Sequence, residues 1–216
     1  INEQLRIMNK LTVKRLKSEP SVNLEIAEHI LETHTERNPI RILNWEKYNY
    51  LPDVNFRIGH IGNEIWIKYY VKEKNLRAFE TKTNGDVYKD SCVEFFISTD
   101  GFNYYNFEFN CIGTIHLGWG PDRYNRKFIG LTEITKIKIK SSLGDQPFGQ
   151  ITGKFEWEIM VRIPIMSLYY SNINSLNGLK AKGNFYKCGD ETPEPHFVTW
   201  NPVKTAQPDY HRLEYF

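Results

Sequence analysis

The stretch VYKDSCVEFFISTDGFNYYNFEFNCIG, Val87–Gly113, carries alternating side chains on either side of a turn-forming STDGFN segment. Val93, Phe95 and Ile97 point one way and Cys92, Glu94, Phe96 and Ser98 the other, because successive strand residues face opposite sides of a sheet. After the turn, Tyr105, Phe107, Phe109 and Cys111 form the apolar set, while Tyr104, Asn106, Glu108 and Asn110 form the polar one. A hairpin centred on Gly101 sets Ser98 opposite Tyr104, Phe96 opposite Asn106 and Glu94 opposite Glu108. Like charges directly opposed destabilise a sheet, so the predicted register raises a chemical question.

Working outward, the same short alternating runs recur between Gly, Asn, Asp and Pro. They predict strands at Thr12–Leu16, Val54–His60, Glu64–Lys72, Cys92–Ser98, Tyr104–Ile112 and Thr114–Trp119. Further strands are expected at Thr135–Ser141, Phe155–Ile163, Leu179–Tyr186 and Phe197–Trp200, with an edge near Leu213. A helix is expected over Asn23–His34, where Leu24, Ala27, Ile30 and Leu31 recur at helical spacing, and a shorter helical turn after Pro164. The fold class is all-β, a sandwich of mainly antiparallel strands with one or two short peripheral helices. With 216 residues and no linker-like tract, one domain over 1–216 is expected.

Lys plus Arg (28) nearly balances Asp plus Glu (26), so there is no basic field of the kind nucleic-acid binders carry. No apolar run reaches membrane-spanning length. The odd number of cysteines, Cys92, Cys111 and Cys188, includes no CxxC pair, and alternation puts Cys92 and Cys111 on opposite faces. The chain opens at Ile1 with no charged-then-apolar leader in view, so localisation is not readable from the residues.

Three chemistries fit the opposed acids. Basic residues, with Arg123, Arg126 and Lys187 as candidates, satisfy a solvated pair at little cost. A concave polar face holds a hydroxyl-rich ligand, with carboxylates and Asn bonding hydroxyls and aromatic rings stacking on C–H faces. A retaining glycosidase sets two carboxyls about 5–5.5 Å apart, near the spacing of opposed strand residues.

Elsewhere the six histidines lack HExxH spacing, no GxSxG elbow occurs, and the Gly144–Gly153 segment GDQPFGQITG reads as a loop. Asp86–Asp90 offers oxygens to calcium without an EF-hand pattern. Trp119, between glycines in HLGWGPDRYNR, reads as a loop aromatic that either marks a binding surface or packs on its own loop; Trp157, Trp45 and Trp66 read as packing residues.

YKDSCVEFFIS, YYNFEFNCIGTIHLGWG, GNFYKCGDETPEPHFVTWNP and YHRLEYF, in this order and spacing, resemble the family 9 carbohydrate-binding modules from about Trp45 to Phe216. That resemblance implies a β-sandwich of the DOMON-like type, non-catalytic binding of plant or microbial polysaccharide or its oligosaccharides, and structural calcium. It also implies export to the periplasm or cell surface, and work beside enzymes or transporters in a larger glycan-degrading system. Members clamp a terminal sugar between two Trp rings. The matching positions here are Tyr88, ahead of Asp90-Ser91-Cys92-Val93-Glu94, and Tyr210, or else His211, ahead of Phe216. Glu94 matches the family's sugar-bonding acid. Glu108 stands where a base is expected, Tyr186 stands near an amide position, and Trp119 and Arg123 are assigned with them to the rim.

Overall fold

A computed structural model describes residues 8–216; residues 1–7 of the expected single domain lie outside that range. In chain order the strands begin with β1 (Lys14–Arg15), β2 (Asn38–Ile40), β3 (Ile42–Leu43), β4 (Asp53–His60), β5 (Glu64–Ala78) and β6 (Cys92–Ser98). They continue with β7 (Tyr104–Asn110), β8 (Ile115–Gly120), β9 (Lys127–Phe128), β10 (Lys138–Ser141), β11 (Phe148–Pro164), β12 (Lys182–Cys188) and β13 (Phe197–Thr199). One sheet runs β1-β4-β5-β11-β10, with β2 also on β4, and the other β3-β13-β12-β6-β7-β8-β9. Apart from the parallel β1 and β4, the pairings are antiparallel, and the all-β sandwich read from the sequence is the observed fold.

The core lies where the two sheets face each other. Phe56 of β4 stacks on Phe185 of β12 with centroids 3.7 Å apart, and Val93, Phe95, Ile97, Tyr105, Phe107 and Phe109 fill the same layer. Burial of such side chains contributes about 1.5–3 kcal/mol each. Outside the first sheet, α1 (Leu24–His34) sets Ala27 and Leu31 on Leu16, Trp66 and Met160. Its start is capped by Asn23, whose Oδ1 accepts from Ile26 N at 2.9 Å. Central β5 is thus covered on both faces and is buried from Glu64 through Val71, which is why EIWIKYYV lacks polar alternation.

Several boundaries move. The expected strand at Thr135–Ser141 starts later, as β10 (Lys138–Ser141), because a short helix, α2 (Leu131–Ile134), and a turn precede it; Ile134 and Ile137, three apart, are both buried, a helical spacing. The Gly144–Gly153 loop is cut short because β11 begins at Phe148, irregularly paired with β5 around Gly149 and Gly153. The edge near Leu213 is a turn of 3-10 helix, Leu213–Tyr215, and so is the segment after Pro164. Among the described residues, no helix is long and apolar enough to cross a membrane.

Candidate functional site

The hairpin register is as the alternation predicts: Glu94 pairs with Glu108 and Phe96 with Asn106. Both acids face away from the inter-sheet core, on the outer face of the second sheet. That face is roofed by other parts of the chain. Trp45, Val203, Tyr210, Leu213 and Phe216 pack over Cys92, Phe96, Tyr104 and Tyr186, leaving a cavity of about 410 Å³ beside them. Glu94, Glu108, Asn106 and Cys188 line its floor; Tyr88, Asp190, Arg123 and Arg126, with Tyr48, Phe197 and His211, line its walls.

The acid pair is not solvated. Glu94 is 2% exposed and Glu108 4%. The basic partners expected for them are engaged elsewhere. Arg123 Nη2 pairs with Asp209 at 2.8 Å, and Arg126 bonds Asn106 Oδ1 and lies over the Tyr104 ring, 4.5 Å from its centroid. Lys187 sits one residue out of phase, on the core side, where it pairs with Glu73 at 3.0 Å. Among the described residues, Glu94, Glu108 and Asp190 form no ion pair. Asn106 Nδ2 donates to Glu108 at 2.7 Å and the Cys188 thiol donates to Glu94 Oε1 at 3.0 Å.

Uncompensated burial has a direct electrostatic result. Burial, then the neighbouring Glu108, pushes Glu94 well above the usual carboxylate range. Burial, again with Glu108, lifts Asp190 to about 7. Held toward its acid form, Glu94 can donate a hydrogen bond as well as accept one. On the wall, burial beside Arg123 and Arg126 lowers His211 to about 2, which keeps it neutral while Nδ1 bonds the Tyr104 hydroxyl at 2.8 Å.

Local sequence explains how the arginines enter. Asp122 Oδ1 accepts from Tyr124 N at 2.8 Å and Asn125 N at 2.9 Å, turning the loop after β8 back across the sheet. Gly118 and Gly120 make room for it: a Cβ on Gly120 would stand 2.1 Å from Asn125 O, and one on Gly118 2.9 Å from Asn106 Oδ1.

The residues singled out in the sequence separate into two groups. Tyr88, Glu94, Glu108, Arg123, Tyr210 and His211 share the cavity, although Tyr210 is only 6% exposed and lies flat on Tyr186 at 4.1 Å. The two assigned rim residues that leave it are Tyr186, fully buried beneath Tyr210, and Trp119. Trp119 is a strand residue of β8 with the parity of Ile115 and Leu117, so it faces the core side and stacks on Tyr170 at 4.5 Å. Asp190, Cys188, Tyr48 and Phe197 were missed, since they arrive from distant segments; the half-buried Tyr48 and Phe197 meet edge-on at 4.7 Å. The calcium reading of Asp86–Asp90 does not fit: Asp90 is fully buried and accepts from Arg77, Phe79 N, Glu80 N and Asn110, which leaves no lone pair for an ion.

A model of carbohydrate-binding family 9 matches residues 25–216. A protein from Bacteroides uniformis ATCC 8492, described as a candidate carbohydrate-binding protein, superposes with a TM-score of 0.92 at 38% identity, over 95% of each chain. A family 9 carbohydrate-binding module from Caldicellulosiruptor kristjanssonii shares the fold in its glucose complex, with a TM-score of 0.57, 13% identity, and coverage of 88% of this chain and 84% of that one. Its cellotriose complex gives 0.57 and 12%, over 88% and 83%. None of the curated proteins matches the chain. With a family model spanning most of its length and a relative at 38% identity matched over 95% of both chains, this chain belongs to carbohydrate-binding family 9.

Proposed function

We propose that the cavity on the outer face of the second sheet binds a saccharide without cleaving it. The observation that carries this reading is the composition of the cavity. Unpaired buried acids, Asn106 and two arginines supply donors and acceptors in one place, and Tyr88, Tyr48 and Phe197 supply apolar ring surface beside them. Sugars need both kinds of contact, since their hydroxyls donate and accept while their C–H faces are apolar. Family membership and the ligands of the Caldicellulosiruptor module, glucose and cellotriose, support a β-glucan or related plant polysaccharide as the first class to test. In this reading Tyr88 stacks on the ring, Glu94 and Glu108 bond hydroxyls, and Arg123 and His211 shape the wall. Tyr210 is buried against Tyr186, so the second ring surface is Tyr48 with Phe197. The role is to hold glycan near an enzyme or transporter at an exported location, an effective-concentration effect.

The test is a glycan array followed by calorimetric titration of the best hits against wild type and Tyr88→Ala. Loss of the ring lowers affinity by about 2- to 13-fold, equivalent to about 0.5–1.5 kcal/mol. No binding at millimolar concentration across the array overturns the reading. A glycosidase remains the second reading because Glu94 is pushed toward its acid form directly opposite Glu108. Turnover of a chromogenic glycoside by wild type, abolished in Glu94→Gln, would establish it in place of simple binding.

A further inference from the structure

Beside Glu94, which the saccharide reading uses, stand two cysteines that it does not. Cys92 and Glu94 are two apart on β6 and so share a face, and Cys188 of β12 stands directly opposite Cys92 across the ladder. Their sulfur and carboxyl oxygen atoms all lie within 4.8 Å of one another, and the three residues are 0%, 2% and 1% exposed in the order Cys92, Glu94, Cys188. We propose that Cys92, Cys188 and Glu94 form a binding site for a thiophilic divalent cation of the zinc class, with its fourth position open to the cavity.

Four observations carry this. The donor set is two sulfurs and one carboxylate, which favours zinc or a similar borderline-soft ion and disfavours calcium and magnesium, whose shells are oxygen. The spacing suits tetrahedral coordination, where bonds of about 2.0–2.3 Å place donors somewhat under 4 Å apart. The thiol of Cys188 already donates to Glu94 Oε1 at 3.0 Å, so an ion replacing that proton joins groups that are in contact. Arg123 and Arg126 line the same cavity but bond Asp209 and Asn106, so Glu94, Glu108 and Asp190 form no ion pair among the described residues, and Asp190 lies against the Cys188 thiol. Binding releases both thiol protons and any proton on Glu94 to solvent. Two thiolates and a carboxylate around a dication then leave one net negative charge, less than the three that the ligands would carry alone.

The proposal goes beyond saccharide binding and is separable from it. The full chain, reduced and stripped with a chelator, is titrated with Zn2+ by calorimetry and with Co2+ by absorption. One equivalent should bind, with a thiolate-to-cobalt charge-transfer band. Cys188→Ser and Cys92→Ser should each lower Zn2+ affinity by more than the ~10- to 100-fold that follows loss of an outer partner. Cys111→Ser, on the opposite face, should leave it unchanged. X-ray absorption of the zinc-loaded wild type supplies a readout that needs no variant and should show two sulfur donors at about 2.3 Å. The absence of stoichiometric binding, a sulfur-free shell, undiminished affinity in the cysteine variants, or a Cys92–Cys188 disulfide in protein purified without reductant would each overturn it. Array binding measured on the same samples tells whether the saccharide reading stands when the zinc reading fails.

Discussion

Two groups of buried acid lie on either side of the second sheet, Glu73 reaching its inner face from β5 and Glu94, Glu108 and Asp190 gathering at its outer face, and they are treated in opposite ways. On the core side Glu73 has its counter-charge supplied by the fold. Lys187 Nζ lies at 3.0 Å and Trp157 Nε1 donates at 2.7 Å, while His196 backs the lysine, 2.7 Å from its ammonium. On the outer side, one residue along β12 from Lys187, Cys188 looks into a cavity with Glu94, Glu108 and Asp190, none of them ion-paired among the described residues. The difference teaches where structure ends and binding begins. A buried charge whose partner comes from the fold holds the fold in register; a buried acid without one keeps free energy in reserve that a ligand with donors or positive charge can release.

Breaking the closed side should have the largest effect. Lys187→Met leaves Glu73 buried without its cation and should destabilise the protein by about 3–5 kcal/mol in urea denaturation, with part recovered in the Glu73→Gln, Lys187→Met double variant. If the single variant unfolds at the wild-type midpoint, the contrast between the faces is wrong. On the open side the loss should appear in affinity. Glu108→Ala should weaken saccharide binding by roughly 10- to 150-fold, equivalent to about 1.5–3 kcal/mol for a charge-assisted hydrogen bond, as read by calorimetry.

The closed side also carries a pH dependence. Burial and Lys187 lower the His196 pKa well below its ordinary value of 6.5, and its ring faces Lys187, Glu73, the Glu194 carbonyl and the Tyr50 ring. Folded His196 therefore stays neutral while the unfolded chain takes up a proton below about 6.5, so its contribution is fully present above that value and is lost on acidification. The slope is up to about 1.4 kcal/mol per pH unit. His196→Gln should flatten the stability curve between pH 6.5 and 5 by that amount; an unchanged slope would show that the histidine charges in place. The smallest effect is on the open side: Glu108→Gln removes the neighbour that, after burial, pushes Glu94 up, and should raise the unfolding free energy by a few tenths of a kcal/mol, up to about 1. A loss instead would mean that the acid is held by the fold.

The hairpin was legible because its information is local. A turn at Gly101 and a period of two place Glu94 beside Glu108 without reference to any other segment. Trp119 was legible too: its parity with Leu117 puts it on the core side, and only the flanking glycines, which serve the Arg126 loop, suggested otherwise. Lys187 is the same lesson, since alternation along GNFYKC separates it from Tyr186 and Cys188. Asp190, Tyr48 and Phe197 could not be placed in this way, because no local period says which distant loop will fold over an outer face.

By itself the sequence determined the sandwich, the register of its central hairpin and the face on which the acids stand, since alternation and turn chemistry act over a few residues. Only the tertiary structure decided that those acids would be buried and unpaired, with their expected bases turned to Asp209, Asn106 and Glu73. Desolvation and counter-charge depend on whatever packs nearby through space, and here that includes a C-terminal segment about a hundred residues away along the chain.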